Sequence, residues 1–323
     1  MNKIIAIVAG EPNSISSEII FKSWLKKKKY KHFPFFVIGS IRLLNLQKKK
    51  LKYKLNLKKI GENFKISDLK GYELPIYDVD FNQKKAFEKI SLKSNKYIFK
   101  CFNHAIKLHK DKKIMGFINC PVSKETLFPK KKHGITEFLA KKTNNNENEV
   151  MLLFNKELAV SPITTHIPFA QVTKKINKNK IVKKALVIND FYIKKLKKKP
   201  RIGILGLNPH NSSSSKKSIE KEIIYKAVKY LSKLKLRISG PIVTDSSFLI
   251  YKKDRLDVLI GMYHDQVLTP FKSLFHFDAI NITLGLNYFR VSPDHGPARD
   301  IVNKKKANHL SLLRCVNFIN SLN

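Results

Sequence analysis

Between Gly261 and Arg299 the chain carries His264, Asp265, Lys272, Asn281, Arg290, Asp294 and His295, separated by short apolar runs. Such a pattern implies strand ends and loops that deliver polar groups to one cleft. Two further histidines have the same setting. His166 follows the apolar run Leu158–Ile163, and His210 follows Arg201–Leu205 through Gly206-Leu-Asn-Pro. Three histidines, each placed after a strand-like run, can form an open metal site with three protein ligands and a position left for substrate. Thr164, Thr165, Asn208 and Asp265 flank them and can fix the ring tautomers by hydrogen bonding. On spacing alone this reading stands level with ordinary hydrogen-bonded loop histidines. Lys272, Asn281 and Arg290 form a second set. Asn281 lies in the apolar pattern Ala-Ile-Asn-Ile-Thr-Leu, where a buried amide needs partners. Arg290 is one of seven arginines in a chain that otherwise uses lysine, so it is a candidate fork for phosphate or carboxylate.

The elements that must position these groups alternate from end to end, which argues for an α/β protein. Ile4–Ala9, His32–Ile38, Lys113–Asn119, Val150–Phe154, Leu158–Ile163, Arg201–Leu205 and Asp257–Met262 read as strands. Helical stretches are expected from Ser16 onward, from Ser40 through Leu46, over Gln83–Lys110, Ile176–Lys198 and Ser218–Lys235, and over Ala298–Leu322 with one polar interruption near Lys304–Lys306. The loop Gly10–Glu18 joins the first strand to a helix N-terminus, a natural anion or cofactor position. It has no G-x-G-x-x-G fingerprint and the chain has no P-loop, so a nicotinamide cofactor needs another kind of site.

The formal net charge is +40 over 323 residues, which invites a nucleic-acid reading. The excess is almost all lysine, spread in runs over helix faces, whereas nucleic-acid readers lean on arginine. A biased coding composition explains it better, and no nucleic-acid partner is expected. Cys101, Cys120 and Cys315 are widely spaced without a CxxC, as in a reduced, cytoplasmic protein. The apolar start is too short for a signal peptide and reads as a buried strand. No run of eighteen apolar residues exists, so no membrane span or membrane partner is expected.

Several blocks in this order resemble the 4-hydroxythreonine-4-phosphate dehydrogenase family of vitamin B6 biosynthesis: Pro162–His166, Gly206–His210, Gly240–Asp245, Tyr263–Gln266, Asn281–Leu286 and Asp294–Gly296. The resemblance covers nearly the whole chain. It implies two α/β/α lobes with a central cleft, like the isocitrate and isopropylmalate dehydrogenases. Residues 1–130 with 275–323 would form one lobe. Residues 131–274 would form the other and supply metal ligands and dimer contacts. It further implies one divalent cation (Zn, Mg or Co) on His166, His210 and His264, in an active site shared across a homodimer. Substrate contacts fall on Thr136, Lys272, Asn281 and Arg290. Asp294 and His295 would meet NAD or NADP, and Lys272 and Asp245 are the catalytic candidates. The implied reaction oxidises 4-phosphohydroxy-L-threonine and decarboxylates the product to 3-amino-2-oxopropyl phosphate.

The chain also departs from the family pattern. Ile135 stands where the family has a substrate-binding histidine. The glycine-rich stretch after the second metal histidine is Asn211-Ser-Ser-Ser-Ser215 here. The first loop has Glu11 for Asp, and Asn13, Ser14, Ser16 and Ser17 for glycines. These changes leave two other readings: a sister dehydrogenase for a phosphothreonate or phosphoerythronate, and a non-enzymatic basic binding protein.

Overall fold

The computed structural model describes residues 4–26, 35–128, 135, 139, 149–212 and 217–322. Twelve strands are numbered here in chain order. They are β1 (Ile5–Val8), β2 (Phe35–Gly39), β3 (Leu57–Ile60), β4 (Leu74–Asp78), β5 (Gly116–Asn119), β6 (Val150–Phe154), β7 (Ala159–Thr164), β8 (Arg201–Leu205), β9 (Arg237–Ile242), β10 (Val258–Tyr263), β11 (Ile280–Leu284) and β12 (Phe289–Pro293). The chain divides into two compact units, Met1–Lys131 with Tyr288–Asn323, and Lys132–Asn287. Residues 275–287, expected with the first unit, fall in the second because β11 pairs antiparallel with β6.

The first unit is a parallel sheet in the order β3-β4-β2-β1-β5-β12. Apart from the edge strand β3, with its exposed Lys58 and Lys59, strands β1, β2, β4 and β5 are near-continuous apolar runs, as strands covered on both faces require. Ile5, Ile7, Phe36, Ile38 and Phe117 are all buried. Helix Asn95–Lys110 packs on β1, β2 and β5, and helix Leu310–Ser321 packs on β12 and on helix Ser16–Leu25. The second unit has the order β11-β6-β7-β10-β8-β9. The pairs joining β7, β10, β8 and β9 are parallel, and β6 pairs antiparallel with both neighbours. Helix Lys178–Leu196 lies against β6, β7 and β11, and helix His264–Phe275 against β7 and β10. Leu153, Val160, Leu205, Leu259, Val267 and Phe271 form the core between them.

Two expected helices are shorter than their patterns. The stretch expected over 83–110 becomes regular helix only at Asn95. Gln83 is buried and exchanges amide hydrogen bonds with Asn13 (3.1 and 3.0 Å), while Arg42 donates to the carbonyls of Phe81 and Gln83. These side chains hold residues 81–83 in an irregular loop that helix periodicity does not register. In the stretch 298–322 only Leu310–Ser321 is α-helix. Ala298, Asn303 and Lys305 have φ of 46°, 63° and 59°, a left-handed conformation that ends a right-handed helix. Helix Ser16–Leu25 starts as expected, but no side chain caps its first turn; Ser14 Oγ instead accepts from the Ser16 N–H. Among the described residues no helix is long and apolar enough to cross a membrane.

Candidate functional site

In the second unit, β7, β8, β9 and β10 run parallel, so their C-terminal ends share one edge of the sheet. In open α/β sheets that edge is where ligands bind. Thr164 on β7 sits opposite Tyr263 on β10, so the residues just beyond them, His166 and His264, meet. Their ring centroids lie 5.6 Å apart at 42°. Asp265 Oδ1 is 2.7 Å from His264 Nδ1. With Nδ1 carrying the proton toward that carboxylate, Nε2 is left as a lone-pair donor, the arrangement of metal-ligating histidines. Two imidazoles so paired are donors of the kind a divalent cation takes, and an open site needs a third ligand.

His210 stands after β8 on the same edge, exposed, in a loop with unusual backbone. His210, Asn211 and Ser212 all have positive φ (48°, 56° and 47°). Asn tolerates this conformation and Ser does so less well. Glycine at Asn211 and Ser212 would relieve that strain. Among the described residues no three His, Cys, Asp or Glu side chains stand together as a metal set. The structure pairs two of the expected ligands and leaves the third on the neighbouring loop.

A polar lattice fixes this edge. Glu220 Oε1 accepts from the backbone N–H of Leu207 (3.0 Å) and Asn208 (2.8 Å) and from the Asn208 amide (3.2 Å). Burial opposes ionisation of Glu220, but the donors of Asn208 and Leu207 outweigh it and hold the carboxyl below its ordinary value. Gln266 joins three strand ends: its Nε2 donates to Gly206 O and Thr244 Oγ1, and its Oε1 accepts from Met262 N. Thr164 Oγ1 donates to Met262 O, and Asn211 Nδ2 to Pro241 O. Sequence reasoning missed Glu220 and Gln266. The first looks like one acid on an amphipathic helix, and the second like a neighbour of the histidine.

The other expected residues are dispersed. Asp245 is exposed in the first turn of helix Thr244–Ile250, after β9 on the same edge. Lys272 is exposed in the last turn of helix His264–Phe275, eight residues or about 12 Å of helical rise beyond His264. Asn281 lies on β11, and its Oδ1 is buried without a hydrogen-bond partner among the described residues. A buried amide oxygen of this kind is a ready acceptor for a ligand. Thr136 lies outside the described residues, whereas the neighbouring Ile135 is buried.

In the first unit, the loops after β1, β5 and β12 also share a C-terminal edge. Glu11 N donates to Pro121 O (2.8 Å), Ile15 N to Pro297 O (3.3 Å), and Arg299 to Ser123 Oγ (2.9 Å). Asp294 N donates to Ser311 Oγ, and His295 Nδ1 lies 3.3 Å from Gly296 O. Arg290 is buried, and its Nε donates to Asn119 Oδ1 at 2.7 Å. Part of its donor fork is therefore engaged between β5 and β12. A cavity of about 650 Å³ opens beside the first loop, lined by Asn13, Gln83, Ser94 and Tyr97 among others.

Glu11 is fully buried, and its Oε2 has no hydrogen-bond partner among the described residues. Burial raises its pKa, against the smaller lowering influences of the Asn13 N–H, Ser94 and Arg299. A carboxyl raised in the folded state contributes stability below its unfolded pKa, and that contribution is lost as pH rises through the folded value. Glu11→Gln is therefore expected to raise the melting temperature at pH 8 more than at pH 4. A melting curve unchanged at both pH values would show that the buried charge is already compensated.

Parallel strand ends with an oriented imidazole pair are the hallmarks of an α/β enzyme. A family model, pyridoxal phosphate biosynthetic protein PdxA, matches residues 31–319. A 4-hydroxythreonine-4-phosphate dehydrogenase of Sulfurihydrogenibium sp. (strain YO3AOP1) is 36% identical, covering 97% of this chain and 96% of its own. A protein of Oceanobacillus iheyensis, provisionally named D-threonate 4-phosphate dehydrogenase, is 30% identical over 97% of this chain and 96% of its own. The crystal structure of 4-hydroxythreonine-4-phosphate dehydrogenase from Klebsiella pneumoniae superposes with a TM-score of 0.82 at 26% identity, over 98% of each chain. The chain belongs to the PdxA family, oxidoreductases of pyridoxal phosphate biosynthesis.

Proposed function

We propose that the chain oxidises the C3 alcohol of 4-phosphohydroxy-L-threonine with NAD or NADP, and that the β-keto acid then loses carbon dioxide to give 3-amino-2-oxopropyl phosphate. The observation that carries this reading is the His166–His264 pair, with Asp265 setting the tautomer of His264, in a chain of this family. A divalent cation (Zn, Mg or Co) on His166, His210 and His264 would supply Lewis acidity to the alcohol and to the ketone derived from it. The nicotinamide, near Asp294 and His295, would accept the hydride.

The chain's own groups then have distinct tasks. Asp265 orients the His264 ring through Nδ1, which leaves Nε2 as the ligating nitrogen. Glu220 and Gln266 hold the strand ends at which ligand groups converge. The Asn281 Oδ1 accepts a hydrogen bond from a substrate N–H or O–H. Lys272, Arg290 and Thr136 meet the substrate's anionic groups, and Asp245 or Lys272 moves the proton. The active unit is a homodimer that shares this site, acting in the cytoplasm. The test is NADH formation against a panel of phosphorylated hydroxy acids, with and without chelator. Full turnover in the chelated protein would sink the metal assignment.

A second reading is a sister dehydrogenase for a phosphothreonate. The O. iheyensis relative and the buried, donor-less Ile135 favour it. The two are separated by Ile135→His. If the substrate is phosphohydroxythreonine, a restored donor contributes about 1.5–3 kcal/mol of binding. KM is then expected to fall about tenfold or more, with kcat little changed. Loss of activity in this variant, with a native preference for a phosphothreonate, establishes the second reading.

A further inference from the structure

The opposite edge of the second sheet carries a cavity that the dehydrogenase reading leaves without a task. It measures about 450 Å³ and surrounds the N-terminal ends of β8, β9 and β10. That size suits a small ligand. Three of the chain's seven arginines line it: Arg201, Arg237 and Arg255. In a chain whose basic charge is otherwise lysine, this concentration is informative. Arginine presents a planar fork that matches phosphate oxygens, whereas lysine presents a point charge.

The cavity's charge is not internally balanced. Its two carboxylates are already engaged: Glu157 pairs with Lys252 at 3.1 Å, and Asp257 pairs with Lys198 and accepts from the Arg201 backbone N–H. Among the described residues the three guanidinium groups have no ion pair or side-chain hydrogen bond. Arg201 and Arg237 are direct partners in the register of β8 and β9, and both are exposed. Like charges directly opposite each other repel. Arg255 sits at φ 53°, a conformation that favours Gly or Asn over a long side chain. The buried Tyr251 and Leu256 also line it.

We propose that this cavity binds a compact polyphosphate group, as a second ligand site on the edge opposite the histidine pair. The five to six residues of each strand put about 20 Å between the two edges. An oligophosphate and the triphosphate of a nucleotide share the recognised chemistry. With the three guanidinium groups as the recognising elements, the phosphates are read and the base is not. A nucleic-acid backbone would instead need a continuous basic track.

The experiment is titration calorimetry of the full chain at 0.15 M salt with inorganic tripolyphosphate, ATP, orthophosphate and a single-stranded oligonucleotide. Tripolyphosphate and ATP are expected to bind one per chain with similar affinity, and orthophosphate more weakly. The double variant R201M/R237M is expected to lower both affinities by about 100-fold, from roughly tenfold for each lost charge-assisted contact. A control, K49M/K50M on the exposed end of helix Ile41–Lys50, removes equal charge in the other unit and should change nothing. Equal loss in both variants would show only diffuse lysine electrostatics and overturn the site. Preferential binding of the oligonucleotide, or ATP binding that tripolyphosphate cannot displace, would also overturn it. The result is independent of which phosphorylated acid the dehydrogenase site takes.

Discussion

With the proposed cation on His166, His210 and His264, His264→Ala is expected to abolish divalent-cation binding and to lower kcat/KM by about a thousandfold or more, because Lewis-acid stabilisation of charge at the reacting oxygen contributes several kcal/mol. His264 is the best test of the three expected ligands because its environment is the most constrained. Its ring faces His166, and Asp265 sets its tautomer. The ring is one-third exposed on its side chain, so truncation leaves no large void and should not unfold the unit. Asp265→Asn separates orientation from ligation. The amide cannot hold the same tautomer as firmly, and partners of metal-ligating histidines typically contribute 10- to 100-fold in affinity or activity. Cation binding by calorimetry and NADH formation should therefore fall together, in the order native, Asp265→Asn, His264→Ala. Activity in His264→Ala within tenfold of native would remove this histidine from the chemistry.

The sequence shows the placement of these histidines because each lies within five residues after an apolar run, and that pattern is local. The blocks around them were enough to indicate the family, and β1, β2, β5, β6, β7, β8 and β10 lie close to where apolar runs placed them, whereas β3, β4, β9, β11 and β12 were not among the expected strands. What the sequence hides is the lattice between strand ends. Gln266 reaches Gly206 and Thr244, sixty and twenty-two residues away in sequence. No periodicity encodes such a meeting. Arg290 stood out by its rarity. The structure shows it buried on Asn119, a partnership set by the register of β12 on β5 that composition cannot reveal. The helix over-extension at 83–110 has the same origin. Gln83 and Asn13 pair across seventy residues and override the local helical pattern.

Glu220 gives the sharpest test of that hidden lattice. Its carboxylate is 1% exposed and satisfies two backbone N–H groups of the loop that leads to His210. Glu220→Ala would leave those part-buried donors without their acceptor, at up to about 1–3 kcal/mol each, so a loss of about 2 kcal/mol in unfolding free energy is expected. Glu220→Gln keeps the shape and one acceptor but loses the charge assistance, and about 1 kcal/mol is expected. The sign of the pH dependence follows from the lowered pKa. A carboxyl depressed in the folded state contributes stability above its unfolded pKa, and loses it as pH falls through the folded value. The gap between native and Glu220→Gln in urea melts should therefore be widest at neutral pH and close toward pH 3. If Glu220 acts on the site through the loop, both variants will also weaken cation binding while leaving the 450 Å³ basic cavity on the far edge unaffected. A stability loss with unchanged cation affinity would mean that the His210 loop holds its shape without its carboxylate anchor.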